Sequence, residues 1–111
     1  MRSSVQRFRP ELEQLMTAAR ESLAAARFDP VAVKGELSAA AKAGRSSCLL
    51  RVEGPIDLRE APATRQLLAW LADQNLRAEW LRRPVGDVDG DAAWDLLVSW
   101  RPKTEAAYDH R

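Results

Sequence analysis

Side chains able to do chemistry are few in this sequence, and their positions do not serve it. The single histidine, His110, stands beside the C-terminal Arg111. A general base must be held within hydrogen-bond reach of the proton it removes, and a tail without apolar periodicity holds nothing in place. The single cysteine, Cys48, follows two serines and precedes Leu49-Leu50, so it reads as a small buried hydrophobe on a strand. A nucleophilic thiolate needs an electropositive, accessible setting. One cysteine and one histidine also exclude an intrachain disulfide and a four-ligand structural zinc cluster. This fits a reducing cytoplasm.

Asp87, Asp89 and Asp91 alternate like the start of a calcium loop. The match fails because Ala92 occupies the sharp-turn position and Val98 stands where the bidentate Glu belongs. Three carboxylates around Gly86 and Gly90 also repel phosphate, and no helix start follows them. The expectation is therefore no enzyme, no metal and no cofactor.

Two constellations remain. Arg51, Arg77, Arg82, Arg83 and Arg101 are interleaved with tryptophans, as a sheet that stacks single-stranded bases requires. Glu53, Glu79 and Asp95 interrupt that surface, and the net charge is only +1, so nucleic acid is the alternative partner and a solvated sheet edge the simpler reading. The second constellation is an apolar stripe near the N-terminus. Val5, Phe8, Leu12, Leu15, Ala19, Ser22 and Ala26 recur at spacings of three and four, widened by Met16 and Leu23. This is the period of an amphipathic helix and approaches the length of a short coiled coil.

The elements that position these residues follow from periodicity and breakers. Pro10 is best tolerated in a first turn, so the first helix is expected over about 9–27. Asp29-Pro30 gives an N-cap and a first helical residue, and a second helix should run over 30–43 and stop at Gly44, with Val33, Leu37, Ala40 and Ala41 inward. Residues 47–53 alternate as a strand with Cys48, Leu50 and Val52 on one face. A third helix is expected over 62–75, with Leu67, Leu68, Trp70 and Leu71 as its apolar face. Strands at 76–83 and 94–101 flank Asp89-Gly90, a hairpin-turn signal. Trp70, Trp94 and Trp100 are expected as core anchors.

The predicted class is α+β with order α-α-β-α-β-β, a small three-stranded mixed sheet of strand order 1-3-2 and helices packed on it. One domain fits the length of 111 residues: an N-terminal amphipathic helix over 1–28, an α/β core over 29–100 and a frayed tail over 101–111. A two-residue Asp89-Gly90 turn pairs Trp80 with Ser99, placing Trp80 with Leu49 and Leu97 in an apolar patch on the second sheet face. A bulge at Pro84 reverses this. The first helix or a partner must cover that patch. No apolar run approaches the roughly 20 residues that cross a bilayer, and the arginines near the N-terminus precede no apolar segment. Neither an anchor nor a signal peptide is expected.

The run Leu37-Ser38-Ala39-Ala40-Ala41-Lys42-Ala43-Gly44-Arg45-Ser46-Ser47-Cys48-Leu49-Leu50-Arg51-Val52, followed by Leu67-Leu68-Ala69-Trp70-Leu71 and Trp94-Asp95-Leu96-Leu97-Val98-Ser99-Trp100, resembles small helix-strand-helix-hairpin proteins encoded by bacteriophages. The likeness spans residues 33–100 and carries no activity or site residue with it. It implies a phage or prophage accessory, virion or host-takeover factor. With large apolar anchors and no catalytic constellation, the expected function is non-enzymatic protein binding or assembly. Phe8, Leu12, Leu15, Met16, Leu23, Trp80, Leu97 and Leu49 are the candidate contacts, and a homodimer is slightly favoured.

Overall fold

In the computed structural model, which describes residues 2–86 and 92–101 with the side chains of residues 2–7 left aside, the local signals around Asp29-Pro30 act as their chemistry dictates. The Asp29 carboxylate accepts the Ala32 N–H at 3.1 Å, and Pro30 opens α2 (Pro30–Lys42). Its end is closed by the Arg45 N–H donating to the Ala40 carbonyl at 3.0 Å, across Gly44 at φ 86°. Before it, α1 spans Arg2–Arg27 with Pro10 inside the helix, so the helix begins earlier than the proline suggests. Pro10 is exposed, and on such a helix water can meet the carbonyl that the missing N–H leaves free.

The remaining elements are β1 (Ser47–Leu50), α3 (Pro62–Asp73), β2 (Arg77–Pro84) and β3 (Ala92–Ser99). The third helix stops short of Asn75, which turns to φ 60°, while the Leu76 N–H donates back to the Leu71 carbonyl at 2.9 Å. At its start, Ala61 has no side chain able to cap. The cap comes from another element: Glu21 of α1 accepts the Ala63 N–H at 2.9 Å. Glu21→Ala should therefore lower stability by about 1 kcal/mol, as loss of a cap does. A thermal melt should show the midpoint falling by roughly 4–8 °C, whereas an unchanged midpoint would mean that water replaces the carboxylate at no cost.

The strand order is β1-β3-β2, as expected, but the sheet is antiparallel throughout rather than mixed. The reason is simple: β1 and β2 run the same way yet are not neighbours, so each is antiparallel to the β3 between them. Register is the larger correction. Trp80 pairs with Leu96, and the ladder runs unbroken from Arg77–Ser99 to Pro84–Ala92. Compared with a two-residue turn this is a slip of three, an odd number, which carries every side chain of β2 to the other face. The longer connection at 85–91 produces the reversal, with no bulge at Pro84. The Asp89-Gly90 turn lies outside the described residues, as do Asp87, Asp91, His110 and the expected tail over 102–111.

Trp80 accordingly faces the helices, where its ring meets Phe28 edge-on with centroids 6.2 Å apart at 73°. Leu50, Leu96 and Val98 of the same sheet face pack with Phe28, Val33, Leu37, Leu67 and Leu71. Ala41, expected inward, is exposed, and Ala40 only half-buried. The four tryptophans are each half-buried, and Trp70, Trp80 and Trp100 pack against the core from its rim. Trp94 is covered from outside by the Arg59 guanidinium, 3.7 Å from the ring centroid, a cation–π contact.

Candidate interaction surface

Side chains of α1 divide into two groups by position around the helix. Ala24 is fully buried, Arg20, Glu21 and Arg27 are half-buried, and every residue from 8 to 19 is exposed. At 3.6 residues per turn, Ala24 lies about 140° round from Ala19, the centre of the apolar stripe. The domain thus grips α1 from behind and only near its C-terminal end. Phe8 is 57% exposed, Leu15 62% and Leu12, Met16 and Leu23 about as open. Of the two expected ways to cover the second sheet face, by this helix or by a partner, the helix does not provide the cover.

The base of α1 is held by Arg27. Its Nη1 and Nη2 donate to the two carboxylate oxygens of Glu36 at 2.8 and 3.3 Å, and its Nε to the Arg51 carbonyl at 2.6 Å. A bidentate guanidinium–carboxylate pair fixes direction as well as distance. Together with the burial of Phe28, it sets the angle at which the helix leaves the domain, so the Asp29-Pro30 break is no free hinge. Beside this base, Leu23, Ala26, Arg27, Val52, Ile56 and Leu58 line an open groove of about 440 Å³.

The second sheet face has no helix over it. Leu49 pairs with Leu97, which pairs with Glu79, and Leu81 lies one step along. Leu49 and Leu81 are exposed and Leu97 half-buried, so this patch is smaller than the α1 stripe and lacks the expected Trp80. At its far end Asp95, though on the outward face, is 3% exposed, because the chain leaving β1 folds over it. Asp95 accepts from the Val52 N–H at 3.0 Å and from the Arg83 Nε at 3.0 Å, while Arg83 Nη2 donates to the Val52 carbonyl at 2.9 Å. Gly54 lies so close that a Cβ there would stand 2.7 Å from the Ala93 Cβ. Burial is the largest single effect and would raise the Asp95 pKa, but the Arg83 and Val52 hydrogen bonds and the charges of Arg83 and Arg51 together outweigh it and hold the carboxyl below its ordinary value. Asp57 is lowered likewise, chiefly by hydrogen bonding from the Arg59 side chain.

The arginines expected as a nucleic-acid surface do not converge. Arg83 is spent on Asp95 and Val52. Arg82 pairs with Trp94 on the helix side and Arg77 with Ser99 on the open side. Arg51 is exposed at the exit of β1, and Arg101 already engages another group. No tryptophan of the described residues lies on the open sheet face to stack a base. Cys48 is half-buried with its thiol 3.9 Å from the Glu36 carbonyl; burial first and the Glu36 charge second push its pKa up, which keeps it a thiol.

Of the expected contacts, the structure gathers Phe8, Leu12, Leu15, Met16 and Leu23 on one outward face, leaves Leu49 and Leu97 on another, and turns Trp80 to the helix side, half-buried against the core. The groove beside Leu23 was not anticipated, since Ile56 and Leu58 lie in a stretch without periodicity. Among the described residues no helix is long and apolar enough to cross a membrane. Comparison with known proteins finds no family model, no curated protein and no solved structure that the chain matches.

Proposed function

We propose that this chain is a non-enzymatic protein-binding or assembly protein whose contact surface is the outward stripe of α1, with a second copy of the chain as its favoured partner. One observation carries the reading: α1 turns Phe8, Leu12, Leu15, Met16 and Leu23 away from its own domain, and each is at least 44% exposed. Burying such side chains stabilises by about 1.5–3 kcal/mol apiece. A helix that keeps all of them in water beyond the domain edge lacks the packing from which helices draw most of their stability. A partner supplies it. The resemblance over residues 33–100 suggests a phage or prophage accessory acting in a bacterial cytoplasm, where the contact would serve virion assembly, self-association or binding of a host protein. No observation favours the nucleic-acid alternative, because the sheet arginines diverge.

Light scattering tests it on the full chain beside a variant carrying Leu12→Glu and Leu15→Glu. Both side chains lie outside the core, so the variant's domain should stay folded, with any loss of helical circular dichroism confined to α1. The parent should have the mass of a dimer and the variant that of a monomer. Mass must be read directly, since a particle of 69 × 31 × 21 Å elutes ahead of a compact one of equal mass. A parent that is already monomeric overturns the self-association.

A further inference from the structure

Read as heptads, the α1 stripe is uneven along its length. Its a positions are Val5, Leu12, Ala19 and Ala26 and its d positions Phe8, Leu15 and Ser22, so the large side chains fill the N-terminal half and the small ones the C-terminal half. In a parallel pair like meets like: Phe8 crowds the partner's Phe8, while Ala19, Ser22 and Ala26 face their own copies across a gap. Reversing one helix cures both faults. With Leu12 opposite the partner's Leu15, Phe8 falls opposite the partner's Ala19. Each layer then holds two leucines or one large and one small residue, as close packing requires.

Resting on the reading of α1 as a self-association surface, we infer that two copies pair through α1 in antiparallel register, centred between Leu12 and Leu15. The domain leaves this seam free, because it grips α1 through Glu21 and Ala24 on the far side and Arg27 on the flank. The five large side chains each keep on the order of 100 Å² to bury. Two copies therefore remove up to roughly 1,000 Å² from these alone, the lower bound for a specific interface. Leu23 and Ala26 line the groove with Ile56 and Leu58, so the first turn of the partner's helix comes to rest at its mouth. The two domains stand at opposite ends of the helix pair.

Site-directed cross-linking in a Cys48→Ala background separates the geometries, with a short bis-maleimide as reagent. Glu11, Ala18 and Ser22 are exposed on α1, so thiols there leave the core untouched. Antiparallel pairing sets position 11 beside the partner's position 18, and a mixture of Glu11→Cys and Ala18→Cys chains should give the mixed covalent dimer as the dominant product. The same pairing sets the two introduced thiols of Ser22→Cys about 25 Å apart at 1.5 Å per residue, and covalent dimer should be lost. A Ser22→Cys chain that cross-links to itself, without the mixed product, shows parallel helices and overturns this inference while leaving self-association standing. A dimer by light scattering that gives neither product means association through another face and overturns it too. A monomer that gives neither overturns the inference together with the self-association beneath it.

Discussion

Val98→Asp and Leu50→Asp each abolish the folded domain. Both side chains are 0% exposed, Val98 in the central strand and Leu50 at the end of the strand beside it, and both face Leu37, Leu67 and Leu71 across the core. Both sites belong to the apolar cluster. Burying a carboxylate there costs several kcal/mol, against a total stability of about 5–15 kcal/mol for a domain. Circular dichroism and a denaturant titration should find both variants unfolded or nearly so. Leu97→Asp is the informative control, since Leu97 neighbours Val98 yet points to the open face. It should melt as a folded protein. Native-like melting of the Val98 and Leu50 variants would show that the helices do not cover this face.

Arg83→Ala should be the most damaging change of a surface-accessible side chain. It leaves the Asp95 carboxylate, 4% exposed as a side chain, with only the Val52 N–H, and removes the donor to the Val52 carbonyl. Removing one partner of a buried ion pair costs about 3–5 kcal/mol. Here Arg83 is 35% exposed, water reaches the vacated space, and about 2–3 kcal/mol is the expected loss. The pH dependence gives the sign. In the parent the Asp95 pKa is lowered on folding, so its contribution is present above the ordinary carboxylate range and is lost as pH falls through the folded value, below about pH 4. In the variant burial is opposed by one hydrogen bond and the folded pKa rises. Protonation then relieves the buried charge, and the gap between variant and parent should narrow from pH 7 toward pH 4. A gap that stays constant over that interval would mean that Asp95 is solvated without Arg83.

How much of this could be read beforehand depends on the range of the interaction. Asp29 capping Ala32, Pro30 opening α2 and Gly44 closing it are contacts within a few residues, so their spelling suffices. The alternation Trp94, Leu96, Val98, Trp100 likewise marks β3 as a strand with one buried face, and its strong pattern places it in the centre of the sheet. Phe28 escaped notice because one aromatic between two helices belongs to neither period. The Glu21 cap on α3 escaped because its two ends are 42 residues apart, and nothing local to Ala61 announces a donor in search of a carboxylate.

The sequence by itself determined the elements, the class, the strand order and the existence of an apolar stripe on α1, because each is written in spacings of two, three and four along the chain. Tertiary structure alone decided which way things face. A strand's two faces differ by a single residue of register, and the ladder that pairs Trp80 with Leu96 sends Trp80 inward. Asp95 reads as an outward polar residue until the chain leaving β1 folds across it. The stripe on α1 states that something must be buried and not against what, since the hydrophobic effect has no direction. Its direction comes from Glu21 and Ala24 on the opposite side of the helix and Arg27 on its flank, which fasten it to the domain and leave Phe8, Leu12 and Leu15 facing outward.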